Sequence, residues 1–185
     1  MSSSGPLAGL VVVELTDEIG SYCGKLLADL GADVIKVEEP GGGQQRHTPP
    51  FFGEDRDVES AIPFWSQNTS KRSLELDFTK ENERIRVRDL MLAADVVIED
   101  FPPGYLAEYN LAYTDLKQER PDLVYASITS FGQTGPHANF EATDLVVQAM
   151  AGVLILAGET SDPPIFFTAI RALYVQVSKQ RKESC

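Results

Sequence analysis

Short, β-branched apolar runs separated by segments with helical spacing constrain the fold of this chain more than any other feature. The clearest runs are LVVVEL at 10–15, DVIKVE at 33–38, DVVIEDF at 95–101 and DLVYASITSFG at 122–132. Runs of this length and composition are typical of strands buried on both faces of a sheet. Because helical segments alternate with them, the sequence predicts a doubly wound α/β fold with a mostly parallel sheet and right-handed crossovers.

The first connecting segment, GSYCGKLLADLGA at 20–32, predicts a helix between the first two strands. Its spacing indicates an apolar face, and the glycine that follows is placed to end the helix. The residues of this predicted face are Tyr22, Leu26, Leu27 and Leu30, and the terminating glycine is Gly31.

Later segments predict further elements. KRSLELDF at 71–78 alternates as a strand does, and Thr79 is the predicted N-cap of a helix whose apolar face contains Ile85, Leu90 and Leu92. Residues 103–121 predict two short helices, and ATDLVVQAMAGVLILAGE at 142–159 predicts a long apolar helix. Residues 38–57 are rich in glycine and proline, which predicts a long surface loop.

Charge excludes several classes of function. The formal net charge is -12, so the chain lacks the basic surface that binding to nucleic acid or to anionic membranes needs. No apolar run reaches the ~20 residues of a transmembrane helix, and the amino terminus lacks a basic signal-peptide region, so we expect a cytoplasmic protein. The two cysteines, Cys23 and Cys185, predict neither a disulfide framework nor a metal site.

In a doubly wound sheet the ligand crevice lies beyond the carboxyl ends of the strands, and three segments are predicted to meet there. After the first strand the G-x-G-x-x-G fingerprint of dinucleotide-binding folds is absent. The free N–H groups of a helix N-terminus could still hold a phosphate or carbonyl there, or Gly20 could simply allow close packing. After the second strand, Glu38 is either a ribose-binding acid or part of a solvated turn. After the strand at 95–101, Asp100 and Phe101 could clamp a flat ring, or could only precede a helix that begins after proline.

Six segments in this order resemble the amino-terminal half of class III CoA-transferases over about residues 5–164. They are GPLAGLVVVELT, GKLLADLGADVIKVEEPGGG, FWSQNTSKRSLELDFT, AADVVIEDFPPG, LVYASITSFGQTGP and TDLVVQAMAGVLILAGE. The resemblance implies an incomplete Rossmann-like domain at 5–164, a divergent tail at 165–185, and the absence of the smaller second domain of the family. Full-length relatives form interlocked homodimers, which we do not expect of this chain.

The resemblance also implies the ligand, a coenzyme A thioester that acts as a substrate rather than as a permanently bound cofactor, with a small carboxylic acid as its partner. Two departures concern the binding site: Asp100 stands where relatives commonly have Asn, and Glu108 stands where several have a phosphate-binding Arg. Lys71 and Arg72 are the nearby cations that could bind the phosphates of CoA. The alternative is that both belong to a solvated basic turn. By position, the residues predicted to bind CoA are Ile19, Gly20, Arg72, Leu76, Asp100 and Phe101.

The chemistry implied by the resemblance needs an aspartate nucleophile shortly after a proline landmark. Here the landmark is Pro163 and Pro164, and residues 165–181 contain neither Asp nor Glu; Ala172 and Leu173 stand near the expected place. We therefore assign no catalytic residue.

Other polar residues do not replace the nucleophile. Asp144 fits a helix N-terminal acid, and the position at which the racemases of this superfamily have their catalytic His is Thr143 here. His47 lies in the glycine-proline loop and His137 in a predicted turn.

Three interpretations stay open at this point. The chain is a truncated or alternative form of a CoA-transferase, a module that binds CoA or a nucleotide without catalysis, or a non-functional remnant.

Overall fold

A computed structural model of the chain describes residues 5–17, 19–53, 57–152 and 154. The chain divides into two units, residues 1–129 and residues 130–185. In the first unit the described elements follow one another as β1 (Val11–Leu15), α1 (Ser21–Asp29), β2 (Asp33–Glu38), a 3-10 helix (Gln44–His47), α2 (Ile62–Gln67), β3 (Arg72–Glu75), α3 (Glu81–Ala93), β4 (Val96–Glu99), a second 3-10 helix (Leu106–Tyr109), α4 (Tyr113–Leu116) and β5 (Val124–Ser127).

The strands form one parallel sheet in the order β3-β2-β1-β4-β5. In register, Val13 of β1 lies beside Ile35 of β2 on one side and Val97 of β4 on the other. This arrangement confirms the predicted Rossmann-like α/β fold, since β1 to β3 extend the sheet one way and β4 and β5 extend it the other way. The direction reverses between β1 and β4, which makes this junction the topological switch point.

Apolar side chains cover both faces of the sheet. On one face Val13 and Val97 pack in a cluster with Val87 and Met91 of α3. On the other face Val12 and its neighbours pack beneath α1 in a second cluster, which consists of Val12, Ala28, Ala32, Val34 and Ile98. Burial on both faces explains why the strands read as continuous apolar runs.

Helix α1 packs through small residues, and its predicted apolar face is largely exposed. Its buried residues are Ser21, Gly24 and Ala28, whereas the side chains of Tyr22, Leu26 and Leu30 are about half exposed. The predicted face is therefore wrong for these three, although Leu27 does pack against the second cluster. Small residues bring the helix axis close to the sheet, and this leaves the large side chains on the flank. The predicted termination at Gly31 is confirmed by its positive φ of 101°.

Helix α3 begins one residue later than predicted. Its N-cap is Lys80, and the hydroxyl of Thr79 donates instead to Asp77. The predicted N-cap is wrong: Thr79 belongs to the turn before the helix, where its hydroxyl and its N–H both donate to the carboxylate of Asp77. Ile85 is exposed, and Leu90 and Leu92 pack against the core as predicted.

Within the predicted surface loop at 38–57, residues Gln44–His47 form a 3-10 helix with buried Gln45 and Arg46. In the second unit, α5 spans Asp144–Met150, and the remainder of the predicted long helix lies outside the described residues, as does the tail at 165–185. Asp144 is the first residue of α5 and follows the N-cap Thr143, which confirms its predicted place at a helix N-terminus.

Within the described part of the chain, no helix has the length and apolar character needed to cross a membrane.

Candidate functional site

The candidate site lies at the switch point, where residues 16–20, here called the crevice loop, connect β1 to α1. Across from it, Asp100 and Phe101 follow β4 directly. Parallel α/β sheets bind ligands at this junction because the connections on either side of it lead to opposite faces of the sheet.

Asp100 holds the crevice loop by its backbone. Its Oδ1 accepts a hydrogen bond from the N–H of Asp17 at 3.0 Å, and its Oδ2 accepts from the N–H groups of Ile19 at 3.0 Å and Gly20 at 3.1 Å. Burial raises the pKa of the Asp100 carboxyl, and the hydrogen bonds from Gly20 and Asp17 oppose that rise. A carboxylate of the chain itself therefore occupies the N–H groups of Asp17, Ile19 and Gly20, which precede the first turn of α1. That the N–H groups of the first helical turn hold a phosphate or carbonyl stays a prediction.

Gly20 fits the interpretation that it permits close packing. A Cβ at this residue would lie 2.4 Å from Cγ2 of Thr16, which is closer than any carbon contact allows. The turn between β1 and α1 is therefore tight as well as hydrogen-bonded.

Removal of the Asp100 carboxylate is expected to destabilise the loop. Asp100→Ala leaves the three N–H groups without their acceptor, so we expect a loss of about 2–3 kcal/mol in the free energy of unfolding. Asp100→Asn keeps one acceptor oxygen and should cost less than half as much. Urea denaturation of both variants measures the difference, and equal losses would contradict the assignment of the carboxylate as the main acceptor.

Beneath the crevice loop, Glu14, Lys36 and Lys71 form a buried ion cluster. Their side chains are 0%, 2% and 2% exposed. The ammonium of Lys36 lies 3.1 Å from Oε1 of Glu14, and that of Lys71 lies 2.8 Å from Oε2. A buried charge needs such partners, since an isolated one loses several kcal/mol of hydration.

Two backbone carbonyls complete the buried ion cluster. Lys36 donates to the carbonyl of Thr16, and Lys71 donates to the carbonyl of Ser21 at 2.7 Å and to Oδ1 of Asn68 at 2.8 Å. Burial lowers the pKa of Lys71 to about 8, with the attraction of Glu14 opposing the change. The interpretation of Lys71 as part of a solvated turn is therefore wrong, because its ammonium is directed into the protein.

Glu38 is buried as well, so it does not belong to a solvated turn. Its carboxylate is also not free to bind a ribose, because side chains and backbone of the chain already donate to it. Both carboxylate oxygens accept from Arg46, each at 2.9 Å, and Ser73 and the N–H of Gly43 donate to the same carboxylate. The guanidinium of Arg46 also lies over the ring of Phe64, 3.8 Å from its centre. Burial opposes ionisation of Glu38, but its donors, Arg46 first, lower its pKa overall.

Asp17 connects the crevice loop to the neighbouring 3-10 helix. Its carboxylate accepts from the N–H of Gln44 at 3.0 Å and from that of Gln45 at 3.2 Å. Together with the Glu38–Arg46 pair, this contact fixes residues 43–46 beside the carboxyl ends of β1 and β2.

An aromatic cluster follows β4. The ring of Phe101 stacks on that of Tyr105 with centres 5.1 Å apart, and Phe78 packs edge-on against Phe101 at 5.6 Å. Phe101 and Tyr105 are only partly buried, so part of their surface faces outward beside Asp100. Such a surface can stack against a flat ring.

The structure brings together only some of the predicted binding residues. Ile19, Gly20 and Asp100 are joined by hydrogen bonds, and Phe101 adjoins them. The remaining two lie on or beside the edge strand β3.

Arg72 is exposed and paired with Asp33 at the start of β2, so its guanidinium is directed away from the carboxyl ends of the strands. Leu76 is 3% exposed in the core, and its N–H donates to the carbonyl of Glu38.

The other polar candidates show no catalytic arrangement. His137 packs edge-on against Phe140, and Asp144 accepts from Gln148. Among the described residues, no group of three or more His, Cys, Asp or Glu side chains could hold a metal ion. A cavity of about 300 Å³ beside Arg46 contains none of the predicted binding residues.

Sequence reasoning missed the buried ion cluster, although a signal for it exists. Glu14 and Lys36 are the charged residues inside two apolar runs, and they are register partners in the sheet. A charge within a buried strand requires a partner, so each residue indicates the other.

Comparison with known proteins places the chain beside one group of enzymes. The sequence model of CoA-transferase family III matches residues 7–175. The succinate–glutarate CoA-transferase of Agrobacterium fabrum is 44% identical over 165 residues, which cover 86% of this chain and 41% of that protein. The succinyl-CoA:glutarate CoA-transferase of Mus musculus is 36% identical over 88% of this chain and 37% of its own length.

The solved structures agree. A CAIB/BAIF family protein from Brucella suis superposes with a TM-score of 0.81 and is 45% identical, covering 88% of this chain and 43% of the other. The chain thus spans about 40% of the length of the relatives it matches.

Proposed function

Because this chain belongs to CoA-transferase family III, we propose that its crevice binds a coenzyme A thioester and that residues 1–185 alone bind CoA without transferring it. The observation that carries the binding proposal is the crevice loop itself, fixed at the switch point by Asp100 with an aromatic surface beside it. By their names, three relatives are a succinate–glutarate, a succinyl-CoA:mesaconate and a succinyl-CoA:glutarate CoA-transferase. We extend to this chain only their class of substrate, the CoA thioester of a dicarboxylic acid.

Charge determines which part of CoA meets the crevice loop. The carboxylate of Asp100 occupies the N–H groups of the loop, and a phosphate beside it would be repelled. We therefore propose that the uncharged pantetheine arm passes Ile19, Gly20 and Asp100.

The aromatic surface and β3 would take the nucleotide end of CoA. Adenine would stack near Phe101, and the backbone at Leu76 would form the adjoining wall. Arg72 would attract the phosphates only at long range, because its exposed guanidinium is paired with Asp33 and directed away from the carboxyl ends of the strands.

The transfer reaction of the family needs a nucleophilic carboxylate, and residues 165–181 do not supply one. In that route an aspartate oxygen attacks the thioester carbonyl, and CoA leaves as a thiolate, which gives a mixed anhydride. The thiolate then attacks the aspartyl carbonyl, so that the acid leaves and CoA is held as an enzyme thioester. Residues 165–181 contain no Asp or Glu, so we expect no enzyme thioester on this chain.

Equilibrium binding and an exchange assay test the two parts of the proposal. We expect purified chain to bind CoA saturably, and Arg72→Ala to weaken binding by about threefold at low salt but not at 0.5 M salt, where charges this far apart are screened. Lys117→Ala, a change at an exposed residue of the same charge, is the matched control. Folded chain that binds no CoA would favour the remnant interpretation.

The assay with succinyl-CoA and labelled glutarate should give no glutaryl-CoA above the protein-free rate. Product formation by this chain alone would contradict the missing nucleophile.

A further inference from the structure

The crevice loop is held at both of its ends from beneath. Lys36 donates to the carbonyl of Thr16, where the loop begins, and Lys71 donates to the carbonyl of Ser21, directly after the loop. Both lysines meet on Glu14. The buried ion cluster therefore joins the two ends of the loop through a single carboxylate.

Lys71 has the larger share of these contacts. Its ammonium lies within 2.9 Å of both oxygens of Glu14, the carbonyl of Ser21 and the side-chain oxygen of Asn68. Ser21 is the first residue of α1, so the position of its carbonyl sets the direction of the first helical turn. The N–H groups of Ile19 and Gly20, which Asp100 binds, immediately precede that turn.

We propose that Lys71 is a positioning residue for the candidate site: by holding Glu14 and the carbonyl of Ser21 together, it keeps the N–H groups of Ile19 and Gly20 aligned on Asp100. It touches no ligand and acts through the crevice loop. The link to CoA affinity rests on the proposed function, whereas the effect on the loop does not.

The charges around Lys71 make this role dependent on pH. Its ammonium faces Glu14 from β1, Lys36 from β2 and Cys23 from α1, and Asn68 after α2 is neutral. Burial lowers its pKa to about 8, so the ammonium loses its proton at moderately alkaline pH. The neutral amine no longer attracts Glu14 as an ion, and its hydrogen bond to Ser21 is weaker.

Loop order and the contribution of Lys71 to global stability should then respond to pH in opposite directions. Because the pKa of Lys71 is about 8 in the folded chain and 10.5 in the unfolded one, the unfolded chain binds more protons between these values. In that window the contribution of Lys71 to the free energy of unfolding therefore rises with pH. The hydrogen bond from Lys71 to Ser21, which positions the crevice loop, weakens over the same pH window. A positioning role therefore predicts a loss of loop order in this window, which a merely structural role does not.

Nuclear magnetic resonance of the full chain tests this proposal. The amide shifts and hydrogen-exchange protection of Ile19 and Gly20 should change with a midpoint near pH 8 in the parent, and this step should be absent from Lys71→Met. At pH 7 the substitution should lower the protection of these two amides about tenfold, as expected for loss of a charge-assisted hydrogen bond. The step should persist in Cys23→Ser, which removes the neighbouring thiol.

Binding of CoA gives the second measurement. We expect Lys71→Met to weaken CoA affinity about tenfold at pH 7, while Lys117→Met, at an exposed lysine, leaves it unchanged. Unchanged protection at Ile19 and Gly20, or an equal loss of protection throughout the sheet, would overturn the proposal. If the parent binds no CoA, the proposed function fails and the amide data still decide the role of Lys71. If Lys71→Met does not fold, a parent titration without a step near pH 8 overturns the proposal.

Discussion

Glu14→Gln is expected to lower the free energy of unfolding by about 3–5 kcal/mol, the range observed when one partner of a buried ion pair is removed. The side chain is fully buried, and its carboxylate is the shared partner of Lys36 and Lys71. Without its charge, two ammonium groups remain in the interior with only neutral acceptors. Urea denaturation followed by circular dichroism measures the loss.

Two further variants make this result specific. Glu75→Gln removes a carboxylate from an exposed position of β3 and should change stability by no more than about 0.5 kcal/mol. Adding Lys71→Met to Glu14→Gln removes one stranded ammonium, so the double variant should be more stable than Glu14→Gln alone. A loss below 1 kcal/mol for Glu14→Gln would show that the cluster is not the buried charge network described above.

Gly24→Ala should also be strongly destabilising, by about 3 kcal/mol, the upper end of the cost of overpacking a core. In most helices this change stabilises by up to about 1 kcal/mol, because alanine is the better helix former. Here a Cβ would lie 1.6 Å from Oε2 of Glu14 and 3.3 Å from Cε of Lys71. The methyl group and the buried carboxylate cannot occupy the same space, so either the helix or the ion cluster must move.

Cys23→Ala is the matched control for Gly24→Ala, because its exposed side chain lies on the same helix. We expect it to change the unfolding free energy by less than about 0.5 kcal/mol. A thermal or urea measurement in which Gly24→Ala stabilises the chain would mean that α1 does not pack as closely over Glu14 as described.

Much of the fold could be predicted from the sequence because its strands are fully buried. Such strands need β-branched apolar runs, and the predicted 33–38 matches β2 at both ends. The orientation of α1 could not be predicted in the same way. Its large apolar residues suggested one face, but close approach to the sheet selected the face with Ser21, Gly24 and Ala28.

Some residues of the candidate site could be singled out from the sequence, but their contacts could not. Asp100 was singled out, yet its partners lie 80–83 positions earlier in the chain. Lys71 and Glu14 are 57 positions apart. Such pairs form only when the sheet order brings β1 beside β4 and β2 beside β3, and no local pattern encodes that order. The roles of the predicted CoA-binding residues stay predictions.

Under the proposed function, the hydrogen bonds from the crevice loop to Asp100 would also affect the kinetics of CoA binding. Because Asp17, Ile19 and Gly20 already have their acceptor before any ligand arrives, the conformational entropy of these three residues is lost during folding rather than during association. CoA would then meet backbone that is already hydrogen-bonded, and its association should follow a single exponential without a slow loop-closing phase. Differences in affinity among ligands of this crevice would accordingly appear in their dissociation rates.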